Sequence, residues 1–376
     1  MFTITSGWPK GLRCSDADPS NLNRIIPAEG RFRASALSIP ARRKMEMLVK
    51  PIHLALAFLP LATVATAETP VLNVLTYDSF TADWGPGPAI EKGFEASCDC
   101  DLVFTATGDG AALLARMRLE GANSTADVVL GLDTSLMENA RQTGLLAPHG
   151  LTLPNDLPVP FADPDFVPYD WGWFAFVYDN TKLSNPPKSF KEMADSPLRI
   201  LIQDPRSSTP GLGLVMWIKA AYGADAAAIW QGLSDNIVTV TPSWDQAYGL
   251  FLKGEADMVL SYSTSPAYHL IAEKDATKSA APFAEGHYMQ IEVAAMLKSS
   301  RHPDLARAFL TYLAGDTAQA ILPETNWMYP AKTPAAGLPA GFETLIKPQK
   351  SLLFSSAQAE SLRQSAVDEW QTALAR

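Results

Sequence analysis

Leu102-Val103-Phe104-Thr105-Ala106-Thr107-Gly108-Asp109-Gly110 opens a segment that continues with Leu113, Leu114, Met117 and Leu119. A β-prone run, a glycine-bounded turn and then apolar residues at helical spacing spell strand, turn and helix. The same order stands on either side. Residues 72–76 read as a strand, 77–88 as a loop rich in Asp, Trp, Gly and Pro, and 89–97 as a helix. Residues 127–130 read as a third strand, which ends in Gly131-Leu132-Asp133 with another helix behind it. Strands alternating with helices in this way predict a parallel sheet covered on both faces.

The pattern restarts further along. Pro168 to Asp179 (PYDWGWFAFVYD) is an aromatic, extended run that suits a crossing segment better than a helix. Strands follow at 199–203, 236–241 and 258–263, with a short helix after Ser189 and a longer one over 210–222. Residues 290–297 read as a second crossing strand; helices then cover 304–313 and 318 onward, and an amphipathic helix over 357–374 closes the chain. Two α/β units joined by two extended crossings leave a cleft between them, the natural place for a ligand. The expected fold is therefore α/β and two-lobed, with two mixed, largely parallel sheets flanked by helices. The expected division is 68–172 for the first part of lobe 1, 173–288 for lobe 2, and 289–376 for the rest of lobe 1 with the closing helix.

Ahead of this lies a different kind of segment. Arg42-Arg43-Lys44, an apolar span over 51–64 and Ala65-Thr66-Ala67 are the basic patch, short apolar core and small-x-small end of a secretory signal peptide. The reading places the start at Met45 or Met47, residues 1–44 as upstream extension, and export from the cytoplasm. The competing reading is a cytoplasmic arm before an uncleaved anchor. No other run is expected to span a membrane.

The chain carries 30 Lys and Arg against 40 Asp and Glu, and residues 68–376 alone have a net charge of −15. An acidic surface argues against nucleic acid or an anionic membrane as partner, and favours a cationic ligand. Past residue 67 the cysteines are Cys98 and Cys100, which fit a small disulfide, two free thiols or, with more ligands, a metal site. No P-loop, G-x-S-x-G or H-E-x-x-H is present, and Gly211-Leu212-Gly213 lacks the third glycine of a dinucleotide turn. His149, His269, His287 and His302 have no evident nucleophile beside them. The chain reads as a binder with no cofactor and no metal, not as an enzyme.

Aromatic residues fall where such a cleft would be lined. Tyr77 and Trp84 flank acids in the first loop, Trp244 follows a strand, Tyr262 and Tyr268 bracket Ser263-Thr264-Ser265-Pro266-Ala267, and Trp327 sits in Asn326-Trp327-Met328-Tyr329-Pro330. Loops at the carboxyl ends of parallel strands face the crevice, and ring faces there stack on a planar ligand or hold a cation; core packing is the plainer role for any one of them. Asp109 serves as charge partner, helix cap or both. Ser208 and Thr209, with Thr209 as N-cap and Pro210 as the first helical residue, make a helix start suited to phosphate or carboxylate; a plain capped helix is the competing role.

Taken with Thr76-Tyr77-Asp78-Ser79-Phe80, Ala82-Asp83-Trp84-Gly85-Pro86-Gly87-Pro88, Ala126-Asp127-Val128-Val129-Leu130-Gly131-Leu132-Asp133, Gln203-Asp204-Pro205-Arg206 and Glu285-Gly286-His287-Tyr288, these segments resemble the periplasmic thiamine-binding proteins of bacterial ABC importers. The resemblance runs from Leu72 to Arg376. It implies a type II-like periplasmic binding protein that captures thiamine, its monophosphate or its diphosphate between the lobes. It also implies delivery to a membrane permease with an ATPase subunit. By motif, Asp109-Gly110, Ser208-Thr209, Trp244 and Tyr262-Ser263-Thr264-Ser265 match the family's ligand contacts, and Tyr77, Trp84, Tyr268 and Trp327 match its aromatic positions. A ferric-ion or polyamine carrier of the same architecture is the rival, and a secreted thiamine-processing enzyme a more distant one.

Overall fold

The computed structural model describes residues 69–375; the expected signal peptide and upstream extension lie outside them. The strands are β1 (Val71–Thr76), β2 (Asp101–Ala106), β3 (Val128–Asp133), β4 (Leu146–Ala147), β5 (Phe166–Asp179), β6 (Ile200–Gln203), β7 (Ile237–Thr241), β8 (Met258–Tyr262), β9 (Lys278–Ala280), β10 (His287–Leu297), β11 (Tyr329–Pro330) and β12 (Ser351–Leu352). They follow one another in the order β2-β1-β3-β10-β5-β8-β6-β7, with β4 and β12 beside β10 and with β9 and β11 beside β5. β1 is parallel to β2 and β3, and β6 is parallel to β7 and β8. Each lobe thus has a parallel three-stranded core, and the long antiparallel strands β5 and β10 join the two.

β5 makes the crossing within a single strand. Phe166 to Trp173 pair with β10, and from Phe174 to Tyr178 the partner is β8. The extended reading of this aromatic run is correct, and the strand belongs to both sheets. Its side chains are buried on alternating faces and beyond, because helices cover it on both sides. Helix Thr209–Tyr222 supplies much of that cover, with residues 209–218 all buried. Its Trp217 packs edge-on against Phe190, ring centroids 4.8 Å apart, and donates its indole N–H to the Gly286 carbonyl at 2.8 Å. A ring of that size contributes about 1.5–3 kcal/mol through burial, and its N–H is satisfied. Gly211-Leu212-Gly213 lies inside this helix and is no nucleotide turn.

Three observations refine the reading. Leu119 is 81 % exposed, on the outer face of helix Gly110–Glu120 and away from the core formed by Leu113, Leu114 and Met117. The stretch Thr209–Leu233 is, by length and composition, apolar enough to cross a membrane, with mean hydropathy 1.3 over its best window. Here it is two core helices broken by the turn Gly223–Asp225. The closing helix Ser356–Leu374, started by a Ser355/Gln358 capping box, packs chiefly on those two helices of lobe 2 and also touches Met137–Arg141 of lobe 1. Cys98 and Cys100 are joined as a disulfide.

Candidate functional site

Asp109 follows β2 and precedes helix Gly110–Glu120, yet its side chain does not cap that helix. It crosses to the other lobe instead. Its Oδ2 accepts the Ser208 hydroxyl proton at 2.6 Å and the Trp244 backbone N–H at 3.1 Å. Beside it the Gly110 N–H donates to Thr209 Oγ1 at 3.2 Å, and the Ala112 N–H donates to the Ser207 carbonyl at 3.1 Å. A Cβ at position 110 would stand 2.4 Å from Thr209 Oγ1 and 2.9 Å from the Gly131 carbonyl, so only glycine lets the loops meet. Burial pushes the Asp109 carboxyl up to about 7; the Ser208 and Trp244 hydrogen bonds pull it down, and the charges of Asp245 and Asp78 add to the rise.

This changes the reading of the helix start. Ser208, not Thr209, is the N-cap of helix Thr209–Tyr222. Its hydroxyl and that of Thr209 are already engaged by Asp109 and Gly110, so the anion at this positive helix end is the protein's own carboxylate.

The aromatic positions divide into two groups. Trp84, half exposed on lobe 1, stands across from Trp244 on lobe 2 with ring centroids 6.3 Å apart. Trp244 stacks on Tyr248 at 5.2 Å and fixes its indole by donating Nε1–H to Ser261 Oγ at 2.8 Å. Tyr268 meets Trp327 edge-on at 5.4 Å and donates its hydroxyl to Glu273 at 3.0 Å. Trp327 holds φ at +55°, a rare backbone state for a bulky residue, with its N–H donating to the Leu322 carbonyl at 3.0 Å.

Tyr77 is placed otherwise. Its ring lies against Gly131, where a Cβ would come within 2.2 Å and φ is +108°, and against Phe80 at 5.5 Å. Little face remains for stacking on a ligand.

The segment after β8 is partly structural. Ser265 Oγ accepts the Tyr262 N–H at 3.2 Å and bonds Ser261 Oγ at 2.7 Å, while Thr264 Oγ1 donates to Met328 Sδ at 3.5 Å. Ser263 is fully buried and its hydroxyl has no partner. The Tyr262 hydroxyl donates to Gln290 Oε1 at 3.1 Å, and burial, then the charges of Glu292 and Asp109, hold that phenol well above its usual range.

Those charges disclose residues that sequence reading passed over. Glu292 accepts from the Tyr169 hydroxyl at 2.7 Å and from the Tyr77 hydroxyl at 3.0 Å. Asn326 Nδ2 donates to Asp170 Oδ2 at 2.6 Å. Burial raises the Asp170 and Glu292 carboxyls, which face each other and are coupled, so the pair keeps a proton that separate acids would lose. Burial and then the Glu292 charge push Asp133 up to about 7; nearby Ser135 and Leu136 offset this in part, and neither Asp133 oxygen is in hydrogen-bond geometry. The signal was there to find: an acid inside each of the apolar runs Val128-Val129-Leu130-Gly131-Leu132-Asp133, Pro168-Tyr169-Asp170-Trp171 and Gln290-Ile291-Glu292-Val293-Ala294-Ala295.

Comparison with known proteins agrees with this architecture. Residues 81–320 match the family model for bacterial extracellular solute-binding proteins. The thiamine-binding periplasmic protein of Salmonella typhimurium is 52 % identical over 327 residues, covering 85 % of this chain and 99 % of that one. Its Escherichia coli counterpart is 51 % identical over 324 residues, with 85 % and 98 % covered. A solved periplasmic thiamin binding protein superposes with a TM-score of 0.80 at 52 % identity, covering 82 % of this chain and 97 % of that one. The chain belongs to the thiamine-binding periplasmic proteins, within the bacterial extracellular solute-binding family, whose members bind solutes and are not enzymes.

Proposed function

We propose that this protein works in the periplasm, captures thiamine or its phosphate esters between its lobes, and delivers them to a membrane permease driven by an ATPase subunit. One observation carries the reading: aromatic rings from both lobes converge beside Asp109, which ties lobe 1 to the Ser208 and Trp244 loops of lobe 2. Thiamine offers a flat aminopyrimidine and a permanently cationic thiazolium. Ring faces suit both, at about 0.5–2 kcal/mol for each cation–ring contact. Asp109, Asp133, Asp170 and Glu292, the buried acids described above, favour a cationic guest. Trp84, Trp244, Tyr262, Tyr268 and Trp327 are the proposed ring contacts, with Gly110, Ser208, Thr209, Ser263, Thr264 and Ser265 shaping the walls. A phosphate ester would compete with Asp109 for the Ser208 hydroxyl.

A ferric-ion reading needs converging phenolates. Here the Tyr262 and Tyr268 hydroxyls donate to different partners, Gln290 and Glu273.

Titration calorimetry of the chain from residue 68 onward with thiamine, its monophosphate and its diphosphate tests the proposal. The expected result is saturable one-to-one binding of at least one of them. No heat and no thermal shift with any of the three would refute it.

A further inference from the structure

β10 lies between β3 and β5, and its Glu292 is in register with Asp133 on one side and with Asp170 on the other. Residues directly opposite in an antiparallel pair point to the same face, so three acids stand in a row across three neighbouring strands. Like charges opposite one another destabilise a sheet. None of the three is more than 5 % exposed. Two bulges shape the row. Asp170 pairs with Glu292 and Pro168 with Val293, leaving Tyr169 without an opposite residue and free to reach Glu292 with its hydroxyl. Val293 pairs with Leu132 and Ala294 with Leu130, which leaves Gly131 as the extra residue beneath the Tyr77 ring.

The neighbouring polar groups are unfilled in a complementary sense. Gln290 precedes Glu292 by two, and so shares its face of β10. It is fully buried, its Oε1 takes the Tyr262 hydroxyl, and its Nε2 has no partner. The Ser263 hydroxyl is likewise buried and unpaired. Tyr262, at the end of β8 in the other lobe, reaches Gln290 with its hydroxyl at 3.1 Å, so the face of β10 that carries Gln290 and Glu292 looks toward the junction of the lobes. Acceptors in excess, two spare donors and aromatic surroundings fit a flat ring that offers an amine donor next to ring-nitrogen acceptors.

We propose that Asp133, Glu292 and Asp170, with Gln290 beside them, form the subsite that reads the amine-bearing edge of the ligand's aminopyrimidine ring. This rests on the thiamine reading above and adds the residues that select for that edge. The amine donates to the carboxylates, and the ring nitrogen accepts from the Gln290 amide or from a protonated carboxyl of the row. An analogue with an oxo group in place of the amine turns its own acceptor toward the acids and is rejected.

The test compares thiamine with oxythiamine, its 4-oxo analogue, by calorimetry on wild type and Glu292→Gln. Both ligands carry the thiazolium charge, so their affinity ratio isolates the amine edge. Wild type should prefer thiamine by about 100-fold, the scale of one charge-assisted hydrogen bond exchanged for a repulsion. In Glu292→Gln the new amide donates to the oxo group, and the ratio should fall below about 10-fold. The variant should fold, since an amide oxygen still accepts from Tyr169 and Tyr77 and one like charge is gone. A melting temperature at or above wild type checks this, and Asp170→Asn gives a second reading of the same ratio. A ratio unchanged in both variants, with thiamine still bound by wild type, overturns this subsite and leaves the proposed function intact. Wild type that binds neither ligand overturns the function itself.

Discussion

Asp109→Ala is the perturbation whose size follows most directly from the geometry. The carboxylate accepts two donors from the opposite lobe, the Ser208 hydroxyl and the Trp244 N–H. A hydrogen bond to a charged group contributes about 1.5–3 kcal/mol. When the lobes part, all three groups regain water, so the loss falls on the closed form alone. Allowing for that solvation, closure should weaken by about 2–4 kcal/mol, which is roughly 30- to 1000-fold in the affinity of a ligand that needs closure. Because burial in the closed form raises this carboxyl to about 7, it favours closure most while it keeps its proton, so the penalty should be larger at pH 6 than at pH 8. Calorimetry with thiamine at both pH values gives the affinities, and small-angle scattering gives the lobe separation. An Ala variant with wild-type affinity at pH 6 would refute the assignment, and so would a penalty that grows as pH rises from 6 to 8.

Other consequences can be read just as directly. Gly110→Ala puts a methyl group 2.4 Å from Thr209 Oγ1 and should cost at least about tenfold in ligand affinity, with lobe 1 still folded by circular dichroism. Trp84→Ala removes a half-exposed ring, so melting should stay near wild type while affinity drops about 3- to 30-fold. pH dependence of the ligand-free protein has a definite sign. Asp109 and Asp133 are raised to about 7, so between roughly pH 4 and 7 the unfolded chain has lost protons that the folded one keeps. Raising pH through that window therefore destabilises, by up to about 4 kcal/mol per group. His287 works against this: burial lowers it to about 4, so it costs stability as pH falls below 6.5. Asp133→Asn should reduce the loss of melting temperature as pH rises from about 4 to 7; an unchanged slope over that range would contradict the buried-acid account.

How far the sequence reaches depends on what each signal encodes. Strands β1, β2, β3, β6, β7 and β8 sit in apolar runs bounded by turns, so periodicity finds them. β5 announces itself by aromatic content, though only the pairing switch at Trp173 and Phe174 shows that one strand serves both sheets. The two- and three-residue strands β4, β9, β11 and β12 carry no period and are invisible until their neighbours exist. Asp109 stood out because it follows a strand at a glycine turn, but its partners are 99 and 135 residues away. Local rules offered only a cap. The Asp133, Glu292 and Asp170 row was missed for a related reason: each acid alone is a single polar residue in its own strand, and it is register across β3, β10 and β5 that aligns them.

The most direct test of the central claim is native mass spectrometry of the exported protein, purified without denaturation and then incubated with a mixture of thiamine, a polyamine and ferric citrate. The account predicts one molecule of thiamine retained per chain. Retention of the polyamine or the iron in its place, or a bare chain, would contradict it.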